Sequence, residues 1–364
     1  MVIICRNKKK LFFFAPALIL LFLSVIACHK DFSQVKAYKA PAPPLIVWPE
    51  PPETARIKFI NSVSNPLDFK IKPGLLKRFI DYIAGKTIHS IVSPYGVETD
   101  SNGNLYVVDT YLKIVHVFNG KQKEYYAFPK SKTKFSLPID LAIDNKKGRI
   151  FVTDSQQGVV KIFNNNGKKY TGEIGKGVFE RPTGIAINEK TSELLVVDTL
   201  SSNVFRYSLD TLGLKGIFGR NGTGSGKLHY PTNIFTRKDG TIIISDSLNF
   251  RIQIFSSNGT FQRAFGSAGD NPGYFTRPKG VASDSEGNIY VVDNLFDNVQ
   301  IFDQQNRLLM AFGSHGNKPG EFWLPTGIFI DKNDRIYVAD SYNKRIQIFQ
   351  YLKTKPKKAE DSDE

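Results

Sequence analysis

The sequence predicts an all-β protein: a six-bladed β-propeller of four-stranded antiparallel blades, with the ring closed by an N-terminal strand. A unit of 44 to 48 residues occurs six times, and short apolar runs alternate with tight turns inside each unit. A period of about 40 to 50 residues is typical of propellers and solenoids. Four short strands per unit favour the propeller.

Three landmarks define the unit and keep their order in all six copies. An aspartate closes an apolar run such as YVVD, a proline precedes it by 15 or 16 residues, and an aromatic residue follows it by nine. The aspartates are Asp109, Asp154, Asp198, Asp246, Asp293 and Asp340. The prolines are Pro94, Pro138, Pro182, Pro231, Pro278 and Pro325, and the aromatic residues are Phe118, Phe163, Tyr207, Phe255, Phe302 and Phe349.

Each unit divides into four strands. In the fourth unit these are NIFTR, TIIISD, RIQIF and FQRAFG. The turn KDG joins the first two strands, and the turn SNG joins the last two. These turns contain Asp-Gly and Asn-Gly, the dipeptides that tight hairpin turns favour. The repeats therefore occupy residues 94–351.

The last unit lacks a fourth strand, because a charged tail, residues 352–364, follows Tyr351 and is expected to be disordered. Residues 56–63, RIKFINSV, are strand-like and have no partner in the repeats. We expect them to pair with Arg345 to Gln350. This pairing closes the ring and removes an exposed sheet edge.

A small or turn-forming residue stands two positions after each landmark proline. The six are Gly96, Asp140, Gly184, Asn233, Gly280 and Gly327. Glycine, asparagine and aspartate tolerate positive φ best. We therefore expect a backbone turn into the inner strand here.

The N-terminal residues predict export and lipid anchoring. A basic start is followed by the apolar run LFFFAPALILLFLSVIA, as in a secretory signal, residues 1–27. Val25-Ile26-Ala27-Cys28 resembles a bacterial lipobox, which implies lipidation of Cys28. The alternative is an uncleaved anchor, since the run is near the lower length limit for spanning a bilayer. Residues 28–54 are rich in proline and predict an extended spacer. The domain is thus expected to face the periplasm or exterior from the cell membrane or outer membrane.

Charge and cysteine content exclude several function classes. The formal charge is +15, but part of it lies in the leader and the rest is mixed with acidic residues, so we expect no nucleic-acid partner. The only cysteines are Cys5 and Cys28, which leaves no disulfide after cleavage.

One stretch of the body, residues 65–93, does not repeat. Within it GLLKRFIDYIAG has apolar residues at helical spacing, which predicts a helical insert. Its apolar stripe suits core packing, or alternatively contact with a partner or membrane. We expect the insert to emerge at the same end of the ring as the loops described next.

The repeated aspartates could form a cation site around a central channel. Because all six units carry one, followed by a short polar residue in each, we expect them instead to cap loop amide groups. The histidines, His29, His89, His116, His229 and His315, show no H-x-H ligand spacing. No metal and no cofactor is predicted.

The units RPKGVASDSEGNIYVVDNLFDNVQIF and LPTGIFIDKNDRIYVADSYNKRIQIF resemble the NHL repeat. The resemblance covers residues 94 to 350, and the whole chain is similar to bacterial six-bladed propeller lipoproteins. It implies the fold but no single activity, since relatives include RNA-binding domains, an amidating lyase and antibiotic-ring-opening lyases. The lyases use several histidines around a metal, a set that this chain does not reproduce.

Loops before the first strand and after the second strand of each blade meet at one end of a propeller. Aromatic and basic residues gather in these loops and suit a polymer, peptide or anionic surface. This candidate binding face comprises Tyr95, Tyr111, Arg181, Tyr230, Arg251, Lys279, Trp323, Tyr342 and Arg345. We expect a monomeric, lipid-anchored and non-enzymatic module that binds or scaffolds an envelope protein, peptide or polymer. The alternative is a metal-dependent lyase or hydrolase with its site at the channel mouth.

Overall fold

The computed structural model describes residues 45–71, 90–129 and 133–353. These residues form 25 strands in six antiparallel sheets, with two short 3-10 turns at Asn165–Gly167 and Ser247–Asn249. In the described residues, no helix is long and apolar enough to cross a bilayer. The predicted fold class is confirmed: the chain is all-β, with six four-stranded propeller blades.

The first three blades follow each other along the chain. Blade 1 contains β3 (Pro94–Thr99), β4 (Leu105–Asp109), β5 (Ile114–Asn119) and β6 (Glu124–Phe128). Blade 2 contains β7 (Pro138–Asp144), β8 (Arg149–Asp154), β9 (Val159–Asn164) and β10 (Tyr170–Ile174). Blade 3 contains β11 (Pro182–Asn188), β12 (Glu193–Asp198), β13 (Asn203–Ser208) and β14 (Leu214–Gly219).

The last three blades complete the ring. Blade 4 contains β15 (Pro231–Thr236), β16 (Ile242–Asp246), β17 (Arg251–Phe255) and β18 (Phe261–Phe265). Blade 5 contains β19 (Pro278–Ser283), β20 (Ile289–Asp293), β21 (Asn298–Phe302) and β22 (Leu308–Phe312). Blade 6 contains β23 (Pro325–Ile330), β24 (Arg335–Asp340) and β25 (Arg345–Tyr351), joined by β1 (Val47–Trp48) and β2 (Ile57–Val63).

The hydrophobic core lies between blades. Second strands such as β4, β16 and β20 are buried along their whole length, because a neighbouring blade covers each of their faces. One cluster, for example, joins Phe151 and Val160 of blade 2 to Ile185 and Leu194 of blade 3. The landmark aromatic residues fill these clusters, which explains why the ninth residue after each aspartate is large.

The predicted closing strand is confirmed. β2 pairs antiparallel with β25 from Ile57 opposite Tyr351 to Val63 opposite Ile346. Ile57 and Val63 are fully buried, so the N-terminal strand takes the place of the missing fourth strand of blade 6.

The spacer predicted to reach residue 54 ends earlier. β1 adds a fifth strand outside β2, with Val47 opposite Lys58. The Trp48 ring packs 5.7 Å from the Phe312 ring and 5.8 Å from the Phe349 ring, measured between centroids. A valine and a tryptophan inside the proline-rich stretch thus bury apolar surface against blades 5 and 6, which composition alone did not reveal.

The expected turn two residues after each landmark proline is wrong. All six positions lie in the described part of the chain, and none has positive φ there. Glycine is needed for another reason: a Cβ on Gly184 would lie 2.6 Å from the Asn233 Cα, and one on Gly327 would collide with the Tyr95 carbonyl oxygen. At the glycine positions the innermost strands approach each other too closely around the axis for a side chain.

In five of the six blades the residue after the landmark aspartate joins a neighbouring blade, whereas Thr110 of blade 1 bonds Ser93 in the loop before its own blade. Thr199 donates to the Pro231 carbonyl oxygen at 2.7 Å, and Asn294 donates to that of Pro325 at 2.8 Å. The same bond links Ser155 to Pro182, Ser247 to Pro278 and, across the closure, Ser341 to Pro94. These polar residues therefore hold the ring together.

Three predicted features lie outside the described residues. The first is residues 1–44, which include the signal, Cys28 and most of the spacer. The second is the central part of the insert, residues 72–89, and the third is the tail from residue 354. The ends flanking the insert are described. Ile71 and Ile91 are buried in one cluster with Val63, at the C-terminal end of β2.

Candidate binding face at the aspartate end

One end of the ring collects the loops that carry the predicted binding residues. Each landmark proline pairs with the landmark aspartate of its own blade, as Pro94 pairs with Asp109 and Pro325 with Asp340. First strands therefore begin, and second strands end, at the same end of the ring. We call this the aspartate end and the other the hairpin end.

The six landmark aspartates cap loops. All six are fully buried. Backbone N–H groups of the loop before each blade donate to them: Glu180 and Arg181 donate to Asp198 at 2.6 and 2.9 Å, and Trp323 donates to Asp340 at 2.8 Å. Equivalent bonds occur in the other four blades. The aspartate oxygens are thus occupied by the loops that they support.

Blade 1 uses a histidine beside its aspartate. His116 is fully buried, with Nε2 3.3 Å from Asp109 Oδ2 and Nδ1 2.8 Å from the Tyr125 hydroxyl. Burial alone would raise the pKa of Asp109, but hydrogen bonds from His116 and from the Leu112 and Val92 N–H groups hold it below its ordinary value. This histidine is a packed structural group.

No metal centre is evident in the described part of the chain, which contains no group of three or more histidine, cysteine, aspartate or glutamate side chains placed to hold an ion. His315 is exposed and bonds through Nδ1 to Asp297 Oδ2 at 2.7 Å. His229 stacks edge-on against Tyr230. The described histidines lie in three separate blades or loops.

A ring of exposed apolar residues surrounds the aspartate end. The second residue after the landmark aspartate is large and apolar in five blades, with 43% to 73% of its surface exposed. The five are Tyr111, Leu200, Leu248, Leu295 and Tyr342, which we call the rim ring. In blade 2 the exposed Gln156 stands at this position. Single exposed leucines are ordinary, but here one exposed apolar residue recurs at the same position of five blades, at the same end of the ring.

Aromatic side chains extend the rim ring at blade 6. The Trp323 and Tyr342 rings have centroids 4.2 Å apart and are tilted by 39°, and His315 lies 5.4 Å from Trp323. The Tyr342 N–H donates to the Trp323 carbonyl oxygen at 3.1 Å. Bonds to Asp340 and Tyr342 thus hold the Trp323 backbone on both sides.

Lys279 and Tyr95 meet at the mouth of the central channel. Lys279 Nζ lies 3.1 Å from the Tyr95 hydroxyl and 5.3 Å from the ring centroid. Below them is a cavity of about 10 Å³, whose polar lining includes Asp140, Thr232 and Asn233. This volume is about that needed by one water molecule. Among the described residues, the channel mouth therefore has room for about one water molecule and not for an organic ligand.

Two carboxyl groups with raised pKa values lie on the innermost strands β3 and β7. Burial raises the pKa of Asp140 to about 7, against hydrogen bonds from the Leu141 and Ile185 N–H groups that lower it. Burial, and then the charge of Asp140, raise the pKa of Glu98 well above its ordinary value. Both groups hold protons more readily than exposed carboxyls do.

Two predicted face residues have a structural role instead. Arg345 is buried, and its guanidinium donates to the Asn317, Lys318 and Glu321 carbonyl oxygens and to Asp340. Arg251 makes the equivalent bonds in blade 4. Both guanidinium groups are therefore committed to their own loops. The sequence showed basic residues in a loop but not that they point into it.

The remaining predicted residues lie at the aspartate end on different blades. Trp323 is adjacent to Tyr342, and Lys279 is adjacent to Tyr95, whereas Tyr111, Arg181 and Tyr230 stand apart. The rim-ring residues Leu200, Leu248 and Leu295, and His315, were missed. The constant offset from the landmark aspartate could have identified the three leucines.

Comparison with known proteins agrees with the architecture. The family described as a 6-bladed beta-propeller matches residues 132–217 and 282–359. The chain is a six-bladed β-propeller. No curated protein matches it.

Solved structures with low sequence identity share the fold. A structural genomics protein of unknown function from Bacteroides thetaiotaomicron is 17% identical, with a TM-score of 0.57 over 72% of this chain and 70% of that one. An auxiliary nutrient binding protein from the same organism is 15% identical, with a TM-score of 0.58 over 72% and 70%. The virginiamycin B lyase of Staphylococcus aureus is 14% identical, with a TM-score of 0.53 over 72% and 96%.

Proposed function

We propose that this propeller is a lipid-anchored module of the cell envelope that binds a macromolecular partner through its aspartate end. The observation that carries the proposal is the rim ring, in which five of six blades place an exposed apolar residue at one equivalent position. Exposed apolar surface that spans several blades is typical of interaction sites.

The chemistry of this end favours a partner with apolar and acidic groups. Tyrosine and tryptophan supply rigid contact area with a polar edge, which makes them frequent anchors in interfaces. The exposed Arg181 and Arg277, in the loops before blades 3 and 5, and the half-buried Lys279, at the start of β19, lie at the same end of the ring and add positive charge. An envelope protein, peptide or acidic polymer provides both kinds of contact.

The size of the channel cavity argues against a small organic ligand there. Ligand pockets usually have volumes of about 300 to 1,000 Å³, whereas the cavity at the mouth has about 10 Å³. A broad, shallow surface suits a macromolecule. A structural neighbour described as an auxiliary nutrient binding protein is compatible with a binding role.

The binding test compares two double variants of the full-length chain in detergent. Tyr111→Ser with Tyr342→Ser alters the rim ring, while Leu214→Ser with Leu309→Ser alters two other exposed apolar residues, on the outer strands β14 and β22. We expect the rim-ring variant to lose at least about tenfold in affinity for the envelope partner captured by the wild type, equivalent to about 1.4 kcal/mol. Equal affinity of both variants would refute the proposal.

The anchor is tested separately, since Cys28 lies outside the described residues. Labelled palmitate should be incorporated into the wild type and not into Cys28→Ala, and only the wild type should partition into detergent. Label retained in Cys28→Ala would exclude this cysteine as the lipid site, without affecting the binding test.

A further inference from the structure

Three loops of the propeller share one backbone form. They precede blades 4, 5 and 6 and span residues 219–230, 266–277 and 313–324. Each contains a parallel bridge, such as Ala268 with Phe275. In each, the side-chain oxygen of a third-strand glutamine accepts a glycine N–H, as Gln300 does from Gly273 at 2.9 Å. The side-chain amide nitrogen of the same glutamine donates to the carbonyl oxygen of the residue after that glycine. In the blade 5 loop this residue is Tyr274, and the distance is 2.8 Å.

In two of these loops an arginine holds three carbonyl oxygens. Arg251 donates to the Thr223, Gly224 and Lys227 carbonyl oxygens at 2.8 to 2.9 Å. Arg345 donates to the corresponding three carbonyl oxygens of blade 6 at the same distances. Each guanidinium also contacts its landmark aspartate, at 2.8 and 2.7 Å. This form of loop therefore directs several oxygens at one point, where a cation sits.

Blade 5 keeps the loop but has no arginine at this position. Asn298 stands there at the start of β21, and its side chain is too short to take the place of a guanidinium. Phe296 replaces the asparagine that bonds the aspartate in blades 4 and 6, Asn249 and Asn343. Asn298 Oδ1 is buried and finds no hydrogen-bond partner anywhere in the described part of the chain.

An acceptor that is buried without a partner costs free energy, of the order of 1 to 3 kcal/mol. The corresponding carbonyl oxygens of blade 5 belong to Asp270, Asn271 and Tyr274. With Asn298 Oδ1 they are candidate neutral oxygen ligands by equivalence to the arginine-binding loops. The buried Asp293 is the equivalent of the two aspartates that contact their arginines. All-oxygen ligand sets with a nearby carboxylate are those that Ca²⁺ takes.

We propose that the blade 5 loop binds one Ca²⁺ in the place that arginine occupies in blades 4 and 6. The ion accepts the three loop carbonyl oxygens and Asn298 Oδ1 as ligands, and water completes its coordination. Mg²⁺ fits less well, because it demands octahedral geometry at shorter distances from a rigid loop. This site lies at the same end of the ring as the binding face proposed above, but its test does not depend on that face binding a partner.

The test is calcium titration by calorimetry of the full-length chain after chelator treatment. The wild type should bind one Ca²⁺ with a Kd below about 1 mM, in the range of extracellular sites. Asn298→Arg supplies the guanidinium of the neighbouring blades and should abolish binding. Gln305→Arg adds the same charge at the exposed hairpin of the same blade and should bind like the wild type.

A second variant keeps the test decisive if Asn298→Arg fails to fold. Asn298→Asp preserves the side-chain size and adds a carboxylate, so it should bind Ca²⁺ at least about tenfold more tightly. The proposal is overturned if the wild type binds no Ca²⁺ at millimolar concentration, if folded Asn298→Arg binds as tightly as the wild type, or if Asn298→Asp gains nothing.

Discussion

Asn233 Nδ2 donates a hydrogen bond of 3.1 Å to Asp140 Oδ2, joining two innermost strands that lie 93 residues apart. The other four blades have glycine at the equivalent position. Asn233 Oδ1 also accepts the Val281 N–H at 3.1 Å, so a polar chain runs from blade 2 through blade 4 to blade 5. The axis is therefore held by side-chain bonds where most blades leave no room for a side chain.

Replacing Asp140 with asparagine should flatten part of the dependence of stability on pH. Burial raises the pKa of Asp140 to about 7, whereas an unfolded aspartate titrates near about 3.9. Between these values the folded state binds the extra proton, so wild-type stability falls as pH rises, by up to about 1.4 kcal/mol per unit, and levels above pH 7. Urea unfolding at pH 5 to 8 should show that the free energy of unfolding of Asp140→Asn increases relative to that of the wild type as pH rises. Parallel curves would show that Asp140 titrates normally.

Adding a methyl group at the axis should be costly. Gly327→Ala would place its Cβ against the Tyr95 carbonyl oxygen, a backbone atom that cannot move away cheaply. We expect a loss of at least about 2 kcal/mol in the free energy of unfolding. Gly216→Ala on β14 is the control, because a Cβ there meets nothing within 4 Å. It should change stability by less than about 1 kcal/mol. Similar losses in both variants would refute the close-packing account of the axial glycines.

The closing strand should contribute strongly to stability. Ile57→Ala removes a fully buried side chain from the cluster of blade 6 and should cost about 2 to 5 kcal/mol. Ile60→Ala, on the same strand but 47% exposed, should cost less than about 1 kcal/mol. Denaturant melts of the two variants test this directly. If they unfold at the same denaturant concentration, β2 is not an integral part of the ring.

Arg345 should not tolerate lysine. An ammonium group cannot reproduce the planar set of bonds to the three carbonyl oxygens of the loop and to Asp340. We expect Arg345→Lys to lose about 1 to 3 kcal/mol and to speed amide exchange in residues 313–322. Arg307→Lys changes an exposed arginine paired with Asp303, and such surface pairs contribute less than about 1 kcal/mol. Unchanged exchange in the loop would contradict the assigned role of Arg345.

Much of this fold could be predicted from sequence because its information is local and repeated. Landmark spacing gave the number of blades, and the missing strand after Tyr351 indicated that residues 56–63 close the ring. β1 was not predicted, because the burial of Trp48 depends on Phe312 and Phe349, which are distant in sequence.

The site was less predictable, because its contacts join different blades. The glycines at the axis suggested a turn, whereas their function is close approach to a strand in the next blade. Arg251 and Arg345 looked like binding residues, since loop sequence does not show whether a guanidinium points outward or into its own loop. The bond from Ser341 to the Pro94 carbonyl oxygen spans nearly the whole domain and has no local signature.

Site-specific photo-cross-linking in cells tests the central claim most directly. Benzoylphenylalanine is placed at Tyr111 or Tyr342 on the aspartate end, and at Lys121 or Lys169 in exposed hairpins of the opposite end. The account predicts that the two rim-ring positions capture the same envelope partner and that the hairpin positions do not. Equal capture from both ends, or capture from the hairpin end alone, would contradict it.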